Sequence, residues 1–344
     1  MKKSILVGLF IASAMTICAQ TKNVVVELGG TNTAYSDLPS AIAAAPNGAT
    51  VYIPGGLHTL TSNITISKQL HFRGDGFNPL TLAGGQAPQI SGSGQLIFTR
   101  GAHYSSFEGI YFSNQVTLQH TTADTTGYFY LIFNRCRFDQ FIYSTGGSVK
   151  VKNITLFMNE CVVYGFNFNG STVESLSVKN SIFTNNGLYN INQTTISNSI
   201  LLNGITDGAY SSNNVTISNC ISYGFFAQYS LSTNWTATNC LIRTGQTISG
   251  TIATSNIQYQ DWNLIFENGP SNTFNITYDY HLKSGSLGLG AGTDGTDLGI
   301  YGGPTPWKGN SIPASPNVYN KSVDTRNDAN GKIDVMYKVK AQSN

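Results

Sequence analysis

Charge is scarce in this chain. Lys, Arg, Asp and Glu make up 10% of its 344 residues, against about 25% in an average globular protein. The net charge is +2, with no basic cluster before the C-terminus, so the electrostatic footprint of a nucleic-acid-binding protein is missing. Long apolar runs are missing too: the most extended, from Ile5 to Ile17, is too short to span a bilayer. No two of the five histidines (His58, His71, His103, His120 and His281) stand four residues apart, as a pair of helical metal ligands would. Neither a Gly-x-Ser-x-Gly elbow nor a phosphate-binding loop occurs. Yet 40% of residues are hydrophobic, which separates the chain from disordered sequences. The remainder is dominated by Asn, Ser, Thr and Gly. That mixture fits an all-β protein with many tight turns and a neutral polar surface.

The first residues read as a signal peptide over 1–19: Lys2 and Lys3, the apolar run, then Ala19 before Gln20. The expected location is therefore secreted, periplasmic or on the outer cell surface, with acylation of Cys18 as the alternative. Removing Cys18 leaves four of the five cysteines, Cys136, Cys161, Cys220 and Cys240.

The middle of the chain repeats at a period of about twenty residues, the signature of a stacked architecture. The copies are LIFNRCRF, LFMNECVV, LSVKNSIF, TISNSILL, TISNCISY and TATNCLIR. Aligned, they place Cys136, Cys161, Ser181, Ser199, Cys220 and Cys240 in one column. An apolar column stands three residues earlier: Phe133, Met158, Val178, Ile196, Ile217 and Ala237. Just before the Cys/Ser column come Arg135, Glu160, Asn180, Asn198, Asn219 and Asn239. Two short strands thus meet at a bend, and Asn tolerates the left-handed backbone that such a bend requires. Strands so widely spaced cannot form tight hairpins. Each can instead form one rung of a coil, pairing in parallel with the next about 4.8 Å away. The Cys/Ser column then becomes an interior ladder of small residues with reduced thiols. This predicts a right-handed parallel β-helix over 20–303, of roughly ten coils. DLPSAIAAA (37–45) reads as a cap helix started by Ser36 or Asp37. From 304 a Pro/Ser-rich strap leads to a β-hairpin with its turn at Asn330-Gly331.

The run DLPSAIAAAPNGATVYIPGGLHTLTSNITISKQLHFRGDG resembles the opening of secreted right-handed β-helix proteins of the pectate-lyase-like superfamily. YHLKSGSLGLGAGTDGTDLGIYGG resembles the closing segment of many bacterial members. The resemblance implies the fold but no single activity, because the superfamily includes lyases, hydrolases, epimerases and adhesins. The sequence departs from it at the signatures of known activity: the Asn-Thr-Asp, His-Gly and Arg-x-Pro-x-x-Arg stretches are absent.

Two groups of residues are candidates for function. Arg135, Arg137, Asp139 and Glu160 form a charge cluster expected on the surface of adjacent coils. As a lyase site, Asp139 and Glu160 would hold Ca²⁺ and Arg137 would act as base. Otherwise they are surface ion pairs. Asp294 and Asp297 could bind Ca²⁺ or shape a turn. The second group is aromatic: Tyr164, Phe166, Tyr189, Tyr223 and Phe225, with Phe168, Phe226 and Tyr229 nearby. These rings would either stack on sugars or pack inside the coils. Phe225 and Phe226 cannot both point outward from one strand. The expectation is a monomeric, polysaccharide-binding β-helix protein without a transmembrane segment. A divergent polysaccharide lyase or glycoside hydrolase and an adhesive surface protein are the alternatives.

Overall fold

Every Asn of the repeat column sits at a bend with positive φ, between 44° and 53° at Asn180, Asn198, Asn219 and Asn239. Arg135 and Glu160 adopt the same left-handed conformation (φ 52° each) in the two coils that lack the Asn. In the computed structural model these bends turn the chain from one face of a coil to the next. Residues 23–78, 86–119, 128–145, 153–168, 173–208, 210–229, 231–268, 271–308, 317–323 and 335–340 are described. The expected signal peptide, Cys18 and the expected Asn330-Gly331 turn lie outside them.

The architecture is a right-handed parallel β-helix of about nine turns, one fewer than the periodicity suggests. A first face is built from strands such as Phe129–Asn134, Ile154–Asn159 and Val173–Lys179, and a second from the two-residue strands after each bend, such as Arg137–Phe138 and Val162–Val163. The third includes Ile142–Thr145, Phe166–Asn167 and Leu188–Tyr189. Parallel register aligns Phe133, Met158, Val178, Ile196, Ile217 and Ala237 as the repeat requires, and all six are buried.

The Cys/Ser column is interior, and its four cysteines are free thiols. It does more than fill space. Cys161 Sγ lies 3.3 Å from the carbonyl oxygen of Asn159, and Ser181 Oγ donates to that of Lys179 at 2.7 Å. The same contact to the carbonyl two residues back recurs at Ser199, Cys220 and Cys240. A small side chain with one donor thus adds a second contact to a carbonyl that already accepts an amide of the preceding coil, a role that Cys and Ser can both fill. Burial pushes the Cys161 thiol up to about 12, and those of Cys136 and Cys220 well above their ordinary value. All four thiols are buried, and the folded protein is expected to leave them unreactive toward a maleimide near neutral pH. On denaturation without reductant all four should react, and a shortfall of two would reveal a disulfide in the ladder.

The N-terminal end is closed by the expected helix, Leu38–Ala44, capped by Asp37, whose Oδ1 accepts the Ser40 amide at 2.8 Å. Two strands not expected from the sequence join it. Val24–Leu28 pairs antiparallel with both Thr31–Tyr35 and Ala49–Ile53, covering the first rung's open edge.

The C-terminal strap differs from the expectation. It starts near Trp262 rather than at Pro304, and it runs back along the coils rather than over the last one. Asn239 and Asn219 bond Ala291 and Thr293, and Asn180 donates to the carbonyls of Ile300 (2.9 Å) and Gly302 (2.8 Å). The reason is an outward-facing aliphatic row on the second face. Val162, Ile182, Ile200, Ile221 and Leu241 are buried only because Trp262, Phe266, Leu298, Ile300 and other strap residues cover them. Beyond it, Asn317–Val323 and Val335–Lys340 form the expected antiparallel pair. Among the described residues, no helix is long and apolar enough to cross a membrane.

Candidate functional site

The charge cluster separates into two parts. Arg135 and Glu160 stand on adjacent rungs, as the alignment requires, but beneath the strap rather than on the surface: they are 6% and 3% exposed. Arg135 Nε and Nη2 donate to the two Glu160 oxygens, each at 3.1 Å, and the Lys308 amide donates to Glu160 Oε2 at 3.0 Å. Arg135 Nη1 also lies 3.7 Å from Glu108, which pairs with Arg73 at 2.8 Å. Four charges of alternating sign thus run up successive coils, a fully satisfied array that seats the strap. Arg137 and Asp139 lie apart on the second face. Arg137 Nε donates to Asp139 Oδ1 at 2.8 Å and Nη2 to Oδ2 at 3.3 Å, while Tyr111 donates its hydroxyl to Asp139.

This division counts against the lyase assignment. The carboxylates meant to hold Ca²⁺ are each bonded to their own guanidinium. A guanidinium held side-on by a carboxylate is a poor base. Among the described residues, no group of three or more His, Cys, Asp or Glu side chains is placed to hold a metal ion. Asp294 accepts from Thr296, and Asp297 from the Gly290 amide, so both shape turns of the strap.

The aromatic candidates do not share one surface. Phe166 is fully buried, as are Phe168 and Phe226, because the inward positions of the third-face strands fall on them. Phe225 points out instead (37% exposed), in keeping with alternation along a strand. Tyr223 is half-buried between Arg243, 4.0 Å from its ring centre, and Trp262 at 4.9 Å. Tyr164 and Tyr189 flank Phe141 at 4.9 and 6.0 Å. There Gly165 and Gly187 make room for the Phe141 ring: a Cβ on either would stand under 3 Å from it.

A better aromatic surface lies on the first face, among residues that the alignment did not single out. Tyr104, Tyr128 and Phe157 are 51%, 61% and 43% exposed. Their rings form a row through Tyr130, which stacks on Tyr104 (5.4 Å) and Tyr128 (5.7 Å) and lies 6.2 Å from Phe157. The His103 ring lies 3.9 Å from that of Tyr104, and its Nδ1 accepts the Tyr130 amide at 3.1 Å, which orients the imidazole. Tyr104 occupies a left-handed bend (φ 63°) leading into a first-face strand. Later coils place Asn214 and Asn234 at such bends. A bulky residue there is strained by about 1–2 kcal/mol, a cost that points to a role for the ring. From Phe157 the same outward register continues as Ser177, Thr195, Thr216 and Thr236, a line of hydroxyls on a regular sheet.

No protein-family profile matches the chain, and no curated protein is detectably similar to it.

Proposed function

We propose that this is an exported β-helix protein of the pectate-lyase-like type that binds polysaccharide at the cell surface or in the periplasm. The first face is the binding surface. The observation that carries this reading is the exposed ring row Tyr104–Tyr130–Tyr128–Phe157, held rigid and partly at the expense of backbone strain. Sugar rings present C–H faces that pack on aromatic rings, while their hydroxyls need partners beside the rings. The Ser/Thr line in register with Phe157 supplies such partners over four further coils. A neutral surface of this kind favours binding over proton abstraction, and the buried, paired state of Arg135 and Glu160 supports the same view.

Tyr104→Gly separates this role from a structural one. Glycine adopts positive φ without cost, so the strain relieved offsets the packing lost from a half-exposed ring and the melting temperature should change little. Affinity for a retained polysaccharide, measured by depletion onto insoluble glycans or by affinity electrophoresis, should fall about tenfold, the loss of one good stacking contact. Unchanged retention of Tyr104→Gly and Tyr130→Ala on every glycan that holds the wild type would overturn the assignment of this face.

A further inference from the structure

The outward row of the second face is buried under the strap from Val162 onward and only partly covered before it. Its earlier members, Leu57, Gln89, Tyr111 and Arg137, are stacked in register on successive coils. They line a cleft of ≈ 400 Å³, walled on the far side by Phe77 and by Ile276 of the strap. That volume lies within the roughly 300–1,000 Å³ typical of small-molecule sites. A second void of ≈ 40 Å³, lined in part by Tyr280 and Trp307, shares Phe77 and Ile276 with it.

The chemistry of the cleft is specific. The Arg137 guanidinium is held over the Tyr111 ring (4.5 Å to its centre) and beside Phe274 (5.4 Å). Asp139 engages Nε and one Nη2 hydrogen, which leaves Nη1 as a fixed donor. Gln89 gives its amide nitrogen to Ser113 at 3.1 Å, which leaves its oxygen as an acceptor. Leu57, Phe77 and Ile276 add an apolar wall. The local charge is already balanced between Arg137 and Asp139. A ligand carrying its own carboxylate would have to compete with Asp139 for the guanidinium, whereas a neutral ligand would not.

We propose that this cleft binds a single neutral sugar ring, at a site separate from the aromatic row of the first face. Arg137 supplies a donor, Gln89 an acceptor, and the apolar wall a surface for the C–H face of the ring. The site goes beyond the chain-binding reading and does not depend on it.

The test uses the methyl glycosides of glucose, galactose, mannose and xylose, with glucuronate and galacturonate as charged counterparts. Each is titrated against the full chain by ligand-observed NMR. At least one neutral glycoside should bind saturably. Its affinity should fall about tenfold or more in both Leu57→Arg and Gln89→Leu and stay unchanged in Tyr104→Gly, and the uronates should bind about tenfold more weakly. Leu57 is 65% exposed, so its substitution blocks the cleft without entering the core, and circular dichroism checks both variants. The proposal is overturned if no neutral glycoside binds, if binding survives both cleft substitutions, if Tyr104→Gly abolishes it, or if the uronates bind as well. Loss of long-chain retention alone in Tyr104→Gly would concern only the first face.

Discussion

Glu160→Ala is expected to destabilise the fold by about 3–5 kcal/mol, the cost of leaving a buried charge without its partner. Arg135 would lose its two-pronged carboxylate partner, and Glu108 is already committed to Arg73 at 2.8 Å, so a balanced array of four charges becomes one with an excess positive charge beneath the strap. The Lys308 amide loses its acceptor in the same step, which releases the strap where it meets these coils. Urea unfolding should show a lower midpoint, and proteolysis should cut the strap near Lys308 sooner than in the wild type. The pair need not be a net source of stability, because burying two charges costs much of what their attraction returns. Replacing both residues by Asn, the residue that four other coils use at the same left-handed bend, should therefore recover most of the loss. A double variant no more stable than Glu160→Ala would mean that the charges themselves hold the fold together. A loss below about 1 kcal/mol in the single variant would mean that the pair is solvated and behaves like an ordinary surface bridge.

The coils were legible because parallel stacking puts equivalent residues on top of one another. A column of Asn and a column of Cys or Ser one residue later mark the bend and its interior donor. Even the departures, Arg135 and Glu160, fell on adjacent rungs as the alignment placed them. Their burial was not legible. The strap meets the column across long separations: Asn180 bonds Ile300, 120 residues on. No local pattern announces that a second face with outward Val162, Ile182 and Ile200 will be covered by such a distant segment. The same row of aliphatics was the available sign, since two consecutive apolar residues in a two-residue strand leave one facing out. The aromatic row escaped notice for another reason. Tyr104 and Tyr128 stand just before first-face strands, outside the eight-residue copies that define the repeat, and stacking between Tyr104 and Tyr130 becomes visible only once the coils are wound.

The interior of the N-terminal half is aromatic, and its most sensitive position is expected to be Phe107. Its ring stacks between Phe72 at 4.7 Å and Phe133 at 4.8 Å, one on each neighbouring rung. Phe98 and Phe112 approach it edge-on at 5.1 and 6.0 Å. Phe107→Ala should cost about 3–5 kcal/mol, because the walls of the cavity are rings locked by further rings and cannot collapse inward. Further along the column the residues shrink to Ala237, where Trp235 two positions earlier fills the coil, so the size of one column is balanced by its neighbours. Phe157→Ala provides the control. That ring lies in the next column but one residue out of phase, 43% exposed, and its removal should change stability by no more than about 0.5 kcal/mol. Comparable losses at both positions would mean that the strand register is shifted by one residue, which would turn the entire inward set outward. Because the interior of each coil packs on that of its neighbours, the cavity weakens the two interfaces that Phe107 spans. The coils on the N-terminal side of Phe107 should then melt before the rest, splitting one thermal transition into two.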